Sequence, residues 1–165
     1  MTNAPTNDWG YRLLPAVGLH GQADPWAELR AILDREAPND WYWSIRAFAL
    51  EGRFELSLDP PSRLIWGGPL MDLACALQEW VETDGDLRFV PAEQAASVTT
   101  RQNGAGVDFY VDGQFVGVGS HAQVKAFVEA FLAEFAEDVC RHEPRTASVV
   151  GLEWLAARSG RCSRS

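Results

Sequence analysis

The sequence predicts an α+β domain in which an antiparallel sheet of about five to seven strands is packed by two or three amphipathic helices. Two observations carry this fold class. Residues 69–81 and 121–141 repeat apolar side chains at helical spacing, which gives each helix one face to bury. Between them lie short apolar-rich runs joined by Asn103-Gly104 and Asp112-Gly113, dipeptides that readily supply the positive φ of tight hairpin turns. With 165 residues, 47% of them hydrophobic and 22% charged, the chain has the apolar content of one folded core. We divide it into a polar leader (1–8), a single α+β domain (9–158) and a short tail (159–165).

In chain order, residues 9–14 predict a short strand. Asp24 is placed to cap a helix that has Pro25 in its first turn and Trp26, Leu29, Ile32 and Leu33 on its apolar stripe. That helix stops near Pro38. Residues 41–50 are rich in aromatic and aliphatic side chains and predict a strand, turned by Glu51-Gly52 into a second strand with Phe54, Leu56 and Leu58 on one face. Pro60-Pro61 ends this hairpin, residues 63–66 predict a further strand, and Gly67-Gly68 permit a bend. Pro69 opens the next helix, with Leu70, Leu73, Ala74, Leu77, Trp80 and Val81 on one stripe, and Asp84-Gly85-Asp86 ends it. Strands at 87–90, 97–102, 107–111 and 115–118 predict a meander. Ser120 and Gln123 form a capping-box pair ahead of the longest helix, and a shorter helix is expected at 149–158.

Charge narrows the function classes. The formal net charge is -9, and Lys125 is the only lysine among 14 basic residues. A chain of this sign repels nucleic-acid phosphates and anionic lipid headgroups, so neither is an expected partner. Cys75, Cys140 and Cys162 are odd in number and unpatterned in spacing, which reads as free thiols in a reducing compartment. The chain shows neither a signal-peptide pattern nor an apolar run near the roughly 20 residues of a membrane span, so a cytoplasmic location is expected.

No motif calls for a cofactor, and none is expected. His20, His121 and His142 form no metal-ligand pattern, and Cys140, His142 and Cys162 match no compact zinc module. Gly104-Ala105-Gly106 and Gly117-Val118-Gly119 complete no phosphate-binding loop and read as turn glycines. No nucleophile elbow is present, so the chain is read as non-catalytic.

The unusual feature is aromatic: seven tryptophans, with Trp41, Tyr42 and Trp43 consecutive. On a strand, Trp41 and Trp43 would face one side and Tyr42 the other. Either both sides are covered, or one is an exposed patch suited to anchoring a partner. The candidate protein-binding residues are Trp41, Tyr42, Trp43 and Trp66, with Trp9 as an extension and Glu79, Glu82, Asp84 and Asp86 as an acidic rim.

The order of elements, a hairpin ending in residues 54–59, Gly68-Pro69-Leu70 leading into a helix with Trp80, a meander and then the Val124 to Val139 helix, resembles immunity proteins of polymorphic or contact-dependent toxin systems over roughly residues 41–140. The resemblance implies a cytoplasmic protein that binds and blocks a cognate toxin, here a basic one, without catalysis, and it carries over no site residue. The same order is similar to that of type III secretion chaperones, which would imply an acidic homodimer binding a secreted effector. An enzyme on an α+β scaffold is the third reading.

Overall fold

The computed structural model describes residues 8–14, 24–83, 85–92 and 94–160. Among them the chain forms seven strands and five α-helices: β1 (Trp9–Leu13), α1 (Ala27–Arg35), α2 (Pro38–Phe48), β2 (Glu51–Ser57), β3 (Arg63–Pro69), α3 (Leu70–Val81), β4 (Arg88–Phe89), β5 (Val98–Asn103), β6 (Gly106–Val111), β7 (Gln114–Ser120), α4 (His121–His142) and α5 (Trp154–Arg158), with a 3-10 turn at Pro144–Ser148 before α5. The fold is α+β as expected, but the strands divide into two antiparallel sheets, β1-β2-β3 and β4-β5-β6-β7. None of the described helices is long and apolar enough to cross a membrane.

The first sheet buries alternate residues. Tyr11 faces Phe54, Phe54 faces Trp66, and Leu56 faces Leu64 across the ladders, while Arg12, Arg53 and Glu55 take the other side. α4 lies under the apolar side, with Phe131 4.7 Å from the Phe54 ring and 5.4 Å from Tyr11. In the second sheet Asn103-Gly104 and Asp112-Gly113 make the turns of the β5-β6-β7 meander, with Gly104 and Gly113 at φ 64 and 80. Trp80 of α3 meets Phe109 on its inner side. Trp66 joins the two sheets, its ring 5.6 Å from Phe89 and its Nε1 donating to the Ala96 carbonyl.

Several expectations are corrected. Residues 41–50 do not form a strand: Pro38 sits in the first turn of α2, where its missing N–H costs nothing, and Trp41, Tyr42 and Ile45 recur on one helical face. The aromatic residues favour strands in isolation, but that preference yields to packing on a helix face. The hairpin is instead β2-β3, closed by residues 58–62. Gly117 and Gly119 lie inside β7 rather than in a turn. A Cβ on Gly119 would stand 2.5 Å from Val124 Cγ2, and one on Gly117 would stand 2.5 Å from Ser62 Cβ, so close approach demands glycine there.

Ser120 precedes α4 as expected but makes no side-chain cap; His121 N–H donates to the Ala105 carbonyl instead. Cys140 is disulfide-bonded rather than a free thiol. An odd number of cysteines excludes complete pairing and still permits one bridge. Cys75 is free and buried. The expected leader and tail fall largely outside the described residues.

Candidate interaction surface

α2 starts at Pro38 after an extended Ala37 and ends before Ala49, which is also extended. Its apolar face, centred on Ile45, packs inward and leaves Trp41 and Tyr42 half-buried at the margin. Trp43 projects from the opposite side, 63% exposed. Tyr42 and Trp43 meet edge to face at 4.9 Å, and the Arg46 guanidinium carbon lies 5.5 Å from both ring centres. This is a cation-π arrangement that holds both rings in place.

Arg46 is itself anchored below. Its Nε donates to Asp72 Oδ1 at 2.7 Å and its Nη1 to the Tyr42 hydroxyl at 2.8 Å, while Asp72 Oδ2 accepts the Ala92 N–H at 2.9 Å. Burial pulls the Arg46 pKa down, but Cys75, Tyr42 and Asp72 more than offset this and hold it above the usual arginine value. Burial pushes the neighbouring Cys75 thiol up to about 12, so it is no nucleophile at neutral pH.

On its other side Tyr42 lines a crevice of about 230 Å³ with Cys75, Gln78, Glu79, Glu82 and Trp154. Glu79 lies in the last turn of α3, and Glu82, three residues on, caps the helix. Glu82 accepts from Gln78 Nε2 at 2.6 Å, and Arg158 donates to the Gln78 amide oxygen. Glu153 at the mouth accepts the Gly151 N–H at 2.8 Å. Among the described residues, none of Glu79, Glu82 and Glu153 has a cation within salt-bridge distance. Gly151, at φ 100, lies against Tyr42, and a Cβ there would stand 2.5 Å from the ring. The corner is therefore an aromatic wall beside uncompensated carboxylates, suited to a cationic side chain with an apolar stem.

The structure brings Tyr42, Glu79 and Glu82 of the sequence candidates to one crevice, with Trp43 against Tyr42 outside its lining, and separates the others. Trp66 is 2% exposed and belongs to the core, because Phe54 and Phe89 enclose it. Trp41 turns toward α1 and donates its Nε1 to the Glu36 carbonyl. Trp9 packs on Phe131, away from α2. Asp86 lies in a separate crevice beside Trp80, where it accepts the Gln102 N–H at 2.9 Å. Asp84 lies outside the described residues. Trp154 and Glu153 were missed by sequence reasoning, since their position beside Tyr42 depends on how α5 packs. The signal available was Trp154 itself, as a tryptophan in a short amphipathic stretch.

No protein-family model, curated protein or solved structure matches this chain. The reading of function therefore stands on geometry and charge.

Proposed function

We propose that this chain is a non-catalytic protein-binding module that captures a basic protein partner at the Tyr42–Trp43 corner. The observation that carries the reading is the exposed Trp43 ring, held by Arg46 and flanked through Tyr42 by Glu79, Glu82 and Glu153, carboxylates that pair with no cation among the described residues. An exposed tryptophan joined through a second aromatic ring to such carboxylates matches the usual anatomy of an interface anchor, in which rigid aromatic area supplies affinity and charge steers encounter. The net charge of -9 extends that steering field. The acidic charge makes a basic protein the fitting partner, and a cognate toxin is the partner that the resemblance to immunity proteins would imply.

Capture from the lysate of the source cell, at low and high salt with mass spectrometry, tests the reading when the wild type is run beside Trp43→Ala and the Glu79→Lys/Glu82→Lys pair. A stoichiometric basic protein should be retained by the wild type at low salt, released at high salt, and lost from both folded variants. Retention of the same protein by the folded variants overturns the reading, and so does the absence of any stoichiometric protein.

A further inference from the structure

Among the described residues, β1 is an edge strand paired on one side, to β2. The Leu14 N–H donates to the Glu51 carbonyl and the Ser57 N–H to the Asp8 carbonyl. Those bonds fix the antiparallel alternation, so Gly10 and Arg12 bond to β2, whereas the N–H and C=O of Trp9, Tyr11 and Leu13 point away from it. Among the described residues, none of those outward groups has a hydrogen-bond partner. A bare edge is a template for another strand unless something blunts it.

This edge opens onto a cleft of about 780 Å³. Tyr11 turns its ring down onto Phe131 and Phe135 of α4, at 5.4 and 5.6 Å, so α4 forms the floor below the edge. Beyond the sheet, Glu134, Asp138 and Arg141 make one stripe of α4 along that floor. Asp138 is occupied: it accepts from the Tyr11 hydroxyl and pairs with Arg141 at 2.6 Å. Glu134 and Asp8 have no cationic partner among the described residues. Trp26, stacked on His142 at 4.4 Å, forms part of the lining.

We propose that the β1 edge receives an extended segment of a partner chain by strand addition, with a Lys or Arg at the position opposite Tyr11. A strand added there gains main-chain bonds from Trp9, Tyr11 and Leu13, and its residues opposite them point down toward α4, because paired residues share a face. The residue opposite Tyr11 thus meets the Glu134 stripe, where a cation is favoured. A second copy of this chain fits less well. Its own β1 would present Trp9, Tyr11 and Leu13, already packed on its α4, and would bring no cation to Glu134. The site uses none of the residues of the Tyr42–Trp43 corner and stands whether or not that corner binds a partner.

The test uses the full chain and synthetic peptides. A Val-Lys-Val-Lys-Val-Lys-Val peptide is titrated by calorimetry, beside the same peptide N-methylated at alternate amides and a Val-Glu-Val-Glu-Val-Glu-Val control. Amide hydrogen exchange is read at Trp9, Tyr11 and Leu13. The lysine peptide should bind and protect those amides, and N-methylation or Glu134→Lys should weaken it by roughly tenfold or more. Equal binding of the methylated peptide overturns the proposal, because attraction by charge alone does not need the amide donors. Lack of binding, protection mapped elsewhere, or equal binding of the glutamate peptide overturns it too. Protection of those amides without peptide also overturns it, assigning the edge to a second copy if protection grows with protein concentration and to the chain's own segments if it does not.

Discussion

Replacing Asp72 by Ala should destabilise the domain by about 3 kcal/mol, the lower end of the range for breaking a buried ion pair. Asp72 is 2% exposed, and the Arg46 side chain is 13% exposed. The substitution removes both carboxylate oxygens, so Arg46 keeps the Tyr42 hydroxyl and the two ring contacts, and the Ala92 N–H loses its carboxylate acceptor. The remaining contact with Tyr42 and the slight exposure of Arg46 place the cost at the lower end of that range. With a urea slope of about 2 kcal/mol/M, the unfolding midpoint followed by tryptophan fluorescence should fall by about 1.5 M. Asp72→Asn leaves an acceptor for Ala92 and should cost less. The double variant Arg46→Met/Asp72→Leu removes both charges together and should recover to within about 1 kcal/mol of the wild type. A loss below about 1 kcal/mol for Asp72→Ala would match a solvated surface pair and refute the claim that this pair is desolvated.

Two further predictions separate interior from surface. Trp66→Ala should cost about 3–5 kcal/mol, since it empties the junction between the sheets, whereas Trp43→Ala should stay within about 0.5 kcal/mol; thermal unfolding of the two variants measures both. Cys75, with a thiol pKa pushed to about 12, should resist iodoacetamide at pH 8 in the folded chain, where about one molecule in ten thousand carries the thiolate, and should label readily in urea, as read by mass spectrometry of its peptide.

Local chemistry was legible in the sequence. The stripes of α3 and α4, the Asn-Gly and Asp-Gly turns of the β5-β6-β7 meander, and Pro69 at the entry to α3 each depend on residues within a few positions of one another. α2 was misread for a related reason. Pro38 both stops the preceding helix and starts the next one, and three consecutive aromatic residues carry a strand preference that only packing overrides.

The sequence by itself determined the α+β class, the acidic surface charge, most element positions, and the presence of an aromatic surplus near α2. Only the tertiary structure decided which tryptophans are interior, because Trp66 is enclosed by Phe54 and Phe89 and Trp43 by nothing comparable. Tertiary packing also split the strands into two sheets, left β1 at an edge, and set Tyr42 beside Glu79 and Trp154. These are contacts between residues distant along the chain, and helical or strand periodicity constrains only near neighbours.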